Sequence, residues 1–78
     1  MTTMLEIGQN LREYRIKMGY TQEKLANEAG TSASHLRMIE KGSGNPTFKT
    51  LRKLADVLGI SLDELLHGCD GATLNDNV

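Results

Sequence analysis

Ser34, His35, Arg37, Met38 and Lys41 place a hydroxyl, an imidazole, a guanidinium, a thioether and an ammonium within one eight-residue segment. These groups donate, accept and pack, which suits holding a polar or anionic partner more than making bonds. Catalysis finds little else. His35 and His67 are far apart in the chain, and Cys69 falls near its end. No pair of carboxylates suggests an acid–base pocket. Two histidines and one cysteine are too few and badly spaced for structural zinc, and one cysteine forms no internal disulfide. The chain reads as a non-enzyme, with no catalytic residue, metal or cofactor expected.

Those side chains need a scaffold, and helical periodicity supplies it. Ile7, Leu11, Tyr14 and Met18 recur at helical spacing over Leu5 to Met18, and Gly19 follows as a stop. Arg15 falls on the same apolar side, where an unpaired cation is expensive, so it needs a carboxylate. Thr21 caps a second helix, Gln22 to about Ala29, and Gly30 interrupts it. Ser32 caps a third, roughly Ala33 to Lys41, which turns Leu36, Ile39 and Glu40 to one side and Ser34, Met38 and Lys41 to the other, with Arg37 flanking. "GSGNP" is a loop. Thr47 caps a fourth helix whose stripe is Phe48, Leu51, Leu54, Ala55 and Leu58, ended by Gly59. "SLDE" is a capping box for a short fifth helix, closed by Gly68, with His67 in its last turn.

The expected fold class is therefore all-α, five short helices in one domain over residues 1–68, and a flexible tail over 69–78, whose "CDGATLNDNV" has no periodicity. Aromatics are 4% of the 78 residues and Trp is absent, which argues against a β-sandwich or barrel. The net charge is −1, but residues 1–53 carry all nine Lys and Arg against five acids, while residues 54–78 carry five acids and no base. This asymmetry points one end at something anionic, or is a chance split of solvated charges. There is no apolar run near ~20 residues and no signal-peptide pattern, so a cytoplasmic protein is expected.

The helix pair Gln22–Lys41, joined by a tight turn, resembles the helix-turn-helix of the lambda repressor-like, Cro/cI (Xre) family. The likeness extends over "YTQEKLANEAGTSASHLRMIEKGSGNPTFKTLRKLADVLGISLDEL" and, with "LREYR" before it, covers about Leu5 to Leu66. The Thr-Gln-Glu opening, Ala26, Gly30, the Ile-Glu-Lys-Gly ending and the Asn-Pro-Thr loop together make it specific. Thr31 departs from the pattern, since members more often carry an apolar residue there.

The resemblance implies a sequence-specific DNA-binding transcriptional regulator, a repressor at an inverted-repeat operator, whose third helix enters the major groove. It places Ala33, Ser34 and Met38 at base-reading positions, with His35 and Arg37 as neighbours within reach. Arg37 either forks onto guanine or grips phosphate, and Met38 either packs on a thymine methyl or tucks back onto the second helix. Gln22 resembles the family's phosphate-contacting glutamine, and Ser32, Lys41, Asn45 and Lys49 are further phosphate candidates, each lysine equally open to being a solvated charge. The family pairs an arginine at position 15 with a glutamate at position 40. A homodimer on double-stranded DNA is implied, with Ile60, Leu62, Leu65 and Leu66 supplying apolar residues for its surface, though some of them must serve the core. The competing reading is an antitoxin-like module whose tail orders on a protein partner.

Overall fold

The computed structural model describes residues 3–73, with side chains described through His67. Five helices follow in order: α1 Met4–Lys17, α2 Gln22–Ala29, α3 Ala33–Glu40, α4 Phe48–Leu58 and α5 Leu62–Thr73. No strand occurs among the described residues. Each helix starts where a Ser or Thr hydroxyl accepts from a backbone N–H three residues on. The pairs are Thr3 with Glu6, Thr21 with Lys24, Ser32 with His35, Thr47 with Thr50 and Ser61 with Glu64. Glu6 and Glu64 return the bond to Thr3 N and Ser61 N at 2.8 and 2.9 Å, so two of the five are complete capping boxes.

The α2–α3 turn closes because Gly30 adopts φ +76°, letting Thr31 N–H donate to Ala26 O at 2.9 Å. An L side chain at that φ would be strained. α2 therefore ends abruptly at Ala29 and α3 begins at Ala33 after a three-residue turn, which fixes the angle between them.

The core is made by one stripe from each helix. Leu11, Leu25, Leu36, Ile39, Leu54, Leu58 and Leu65 are fully enclosed, with Ala26 and Ala55 where helices approach closely. α1 packs on α3 and α5, α2 on α3 and α4, and α4 on α5. Asn10 ties α1 to α5 by donating from Nδ2 to Leu65 O and Leu66 O at 3.1 and 3.3 Å.

Three expectations need correction. Periodicity assigns Met18 and Phe48 to apolar stripes, but they are 50% and 70% exposed. Met18 is the C-cap of α1 and Phe48 the first residue of α4, so each projects past the part of its helix that is packed. Helix α5 does not close at Gly68 but runs on to Thr73. A glycine inside a helix costs about 1 kcal/mol relative to alanine without forbidding it, and no proline interrupts this segment. Residues 69–73 of the expected 69–78 tail thus belong to α5, and its residues 74–78 lie outside the described residues. No helix among the described residues is long and apolar enough to cross a membrane.

Candidate nucleic-acid interface

The site is α3 and what holds it. Leu36 and Ile39 are fully buried and Glu40 nearly so, whereas Ser34, Arg37, Met38 and Lys41 are exposed. The C-terminal half of α3 rests directly on α1 at Gly8. A Cβ built on Gly8 would collide with the Ile39 carbonyl oxygen and stand 3.0 Å from the Glu40 carbonyl carbon. Glycine is required there because two helix backbones touch.

Next to that contact the structure brings Arg15 and Glu40 together. Arg15 Nε donates to Glu40 Oε2 at 2.7 Å and Nη2 donates to Oε1 at 3.2 Å. The third guanidinium edge is filled too, since Nη1 donates to Tyr20 O at 2.9 Å. The two side chains are 11% and 4% exposed. Gln22 Nε2 also donates to Glu40 Oε1, at 3.1 Å, so the carboxylate accepts three charge-assisted bonds. A buried ion pair satisfied this completely fixes a geometry, because losing either partner strands the other charge. Gln22 Oε1 in turn faces Arg37 Nη1 at 3.5 Å, a weak contact at that length that still leans Arg37 toward α2. At the α1–α2 turn, Tyr20 OH donates to Glu28 Oε1 at 3.3 Å. Desolvation and then the Glu28 charge raise the Tyr20 phenol above its ordinary value of 10.0.

The remaining site residues fall as follows. Ala33 is half-buried and packs on the core, leaving Ser34 as the exposed position of the first turn. Met38 is 48% exposed. Ser32, Lys41, Asn45 and Lys49 are exposed, and Asn45 carries a positive φ of +39°. The Ser32 hydroxyl is engaged as the α3 cap. Gln22 is half-buried with one amide N–H committed to Glu40, and its amide keeps a second N–H for an outside acceptor.

Two expectations fail on placement. His35 is not presented to a base: Nδ1 lies 3.1 Å from Thr31 Oγ1 and Nε2 lies 3.0 Å from Gly44 O, so both ring nitrogens are engaged within the chain. Leu65 offers no surface for a second copy, being 0% exposed beneath α1 and α4. Ile60, Leu62 and Leu66 are partly buried and flank it. Among the described residues no group of three or more His, Cys, Asp or Glu is placed to hold a metal ion.

A helix-turn-helix family model matches residues 11–65, over two thirds of the chain. The chain belongs to the Cro/cI-type helix-turn-helix family. Its relatives are transcriptional regulators. The regulator SinR of Bacillus subtilis is 39% identical over 61 residues, 77% of this chain and 55% of that protein. The cryptic phage CTXphi transcriptional repressor RstR of Vibrio cholerae is 39% identical over 61 residues, 78% of this chain and 54% of RstR. This chain thus spans little more than half the length of several curated relatives. Among solved structures, the restriction-modification controller protein C.AhdI of Aeromonas hydrophila aligns at a TM-score of 0.77 and 37% identity, covering 80% of this chain and 94% of that one. SinR in complex with DNA aligns at 0.73 and 39%, covering 77% and 97%.

Sequence reasoning misses Gly8, Asn10 and the Thr31–His35–Gly44 contacts. A glycine inside an otherwise sound helix is the one available signal for Gly8, since its intrinsic cost demands a packing reason. Asn10 gives none, because a polar residue on a helix is ordinarily solvated.

Proposed function

We propose that this chain is a repressor that binds an inverted-repeat operator as a homodimer, with the exposed face of α3 in the major groove. The observation that carries the reading is the division of α3. Its inner face is clamped by Leu36, Ile39 and a satisfied ion pair, while Ser34, Arg37 and Met38 are exposed on its outer face. Rigid presentation is what base-edge recognition needs. Arg37 supplies a fork for guanine O6 and N7, Ser34 a two-way hydroxyl, and Met38 an apolar tip for a thymine methyl. Gln22, Ser32, Lys41, Asn45 and Lys49 take phosphates on either side, helped by the free N–H groups at the start of α2. The repressor assignment draws on the likeness to RstR, and the ligand on the likeness to SinR, which is solved with DNA. DNA as the ligand implies a cytoplasmic setting.

One recognition helix spans few base pairs, so a second copy is needed for specificity. Ile60, Leu62 and Leu66, with the 70% exposed Phe48, offer the apolar surface for it. An open groove of about 330 Å³ beside Met4, Pro46, Phe48 and Leu66 has room for a side chain of the second copy. The test is Arg37→Ala, measured by fluorescence anisotropy on a panel of duplexes. Affinity should fall by about 1–3 kcal/mol with relaxed preference at one base position. An equal loss on every sequence would reduce Arg37 to a phosphate contact and remove the groove-reading role.

A further inference from the structure

The Thr31 hydroxyl begins a short relay. Thr31 Oγ1 is 3.1 Å from His35 Nδ1, and His35 Nε2 is 3.0 Å from the Gly44 carbonyl oxygen. A carbonyl only accepts, so Nε2 carries a proton and donates. In the neutral ring Nδ1 is then an acceptor, and the Thr31 hydroxyl supplies its donor. The partner at one ring nitrogen selects the tautomer presented at the other, so Thr31 favours the form that Gly44 needs.

The relay holds the connection between α3 and α4. That connection first hangs from the end of α3: Gly42 N–H donates to Ile39 O at 3.0 Å, and Ser43 N and Oγ both donate to Met38 O, at 2.9 and 3.1 Å. His35 adds a hold further along, one residue before Asn45. Gly44 and Asn45 are successive positive-φ residues, at +88° and +39°, so the chain turns sharply there and the asparagine is the less comfortable of the two. The loop also lies on the groove face itself. A Cβ on Gly44 would sit 3.2 Å from Met38 Cβ and 3.4 Å from His35 Cδ2. Just beyond come the α4 cap Thr47 and then Lys49. The bond to Gly44 therefore sets where Asn45 and Lys49 stand relative to Ser34, Arg37 and Met38.

We infer that His35 is a positioning residue for DNA binding: with Thr31 it locks the α3–α4 loop to α3, so that the loop's phosphate contacts and the helix's base contacts engage as one rigid unit. His35 reads no base. The inference rests on the DNA-binding reading above and adds how the two classes of contact are held in register.

The experiment compares the full chain with its His35→Ala, His35→Gln and Thr31→Val variants, on preferred and mismatched duplexes, across a salt series. His35→Ala should lose affinity by the same factor on every duplex, with the ranking of sequences intact. Its salt slope should be shallower by about 0.9 for each phosphate that the loop no longer neutralises. His35→Gln keeps an amide donor near the position of Nε2 and should recover part of both. Thr31→Val should lose less than His35→Ala and add nothing in a His35→Ala background. A changed preference at a single base position, or an unchanged affinity and slope, would overturn the inference. Should His35→Ala fail to fold, the tautomer decides. Long-range 1H–15N spectra of the free wild-type protein should show His35 protonated at Nε2 when neutral, and the opposite tautomer would refute the relay. A wild-type chain that binds no duplex would sink the DNA-binding reading, while the tautomer measurement would still judge the Thr31–His35–Gly44 contact on its own.

Discussion

Replacing Glu40 with glutamine removes one charge and almost no volume, so it isolates what the buried pair contributes. In the native chain Glu40 accepts from Arg15 Nε, Arg15 Nη2 and Gln22 Nε2. Glutamine can accept from Arg15 Nε through its one oxygen. Its amide nitrogen, itself a donor, would then face two donors, Arg15 Nη2 and Gln22 Nε2, and can accept from neither. Arg15, 11% exposed, is left without an anion. Breaking a buried pair on one side costs about 3–5 kcal/mol. The low end applies, because Arg15 keeps its bond to Tyr20 O and one bond to the new amide. A loss of about 3 kcal/mol is a large share of the total for a chain this short, of which about 0.05–0.15 kcal/mol per residue is typical. At about 4–8 °C per kcal/mol for a domain of this size, the melting midpoint should drop by roughly 12–24 °C. Thermal unfolding followed by circular dichroism measures this, and duplex binding well below the midpoint measures the effect on α3. The paired change Arg15→Met with Glu40→Leu should recover most of the stability, because neither charge is then stranded. A Glu40→Gln protein that melts within 2–3 °C of wild type, roughly half a kcal/mol, with unchanged DNA affinity would refute the role assigned to this pair.

Other perturbations test the surrounding frame. Gly8→Ala improves intrinsic helix propensity by about 1 kcal/mol, yet should destabilise by about 1–3 kcal/mol because its Cβ meets the α3 backbone at Ile39 and Glu40; a rise in the urea midpoint would contradict the contact. Leu65→Ala should cost about 2–5 kcal/mol as a core truncation, whereas Leu66→Glu should chiefly weaken self-association in sedimentation equilibrium; the reverse pattern would exchange their roles. Lys49→Ala should weaken binding equally on all duplexes and make the salt slope shallower by about 0.9, and a sequence-selective loss would mean that it reads something other than phosphate.

Much of this architecture is legible in the sequence because it is written in local chemistry. Thr21, Ser32, Thr47 and Ser61 cap the helices they precede, and Gly30 and Gly59 end theirs with φ of +76° and +74°. Arg15 on an apolar stripe demands a carboxylate, and Glu40 is the one it meets. What escapes depends on how elements meet. Periodicity assigns Met18 and Phe48 to stripes, but says nothing of where packing stops along a helix. Nor does it decide which leucine of α5 faces inward, so it leaves Leu65 on the surface when the chain encloses it. Gly68 looks like a terminator, but a single glycine is a weak signal that neighbouring turns can override. For the candidate site, an imidazole near a groove face suggests base contact, and only the position of Gly44 O and Thr31 Oγ1 reveals that its nitrogens are already engaged. The exposed face of α3 is visible from its helical spacing, whereas the Gly8 contact that seats its far end is not.

On the proposed reading, the exposed face of α3 recognises sequence as one half of a symmetric pair. Selection from random duplex DNA by the purified protein at near-physiological salt, followed by sequencing, tests it most directly. The expected result is enrichment of an inverted repeat whose half-sites lie about one helical turn apart. No enrichment, or binding that disappears with a modest rise in salt, would mean that α3 does not read bases on its own, and would contradict the claim.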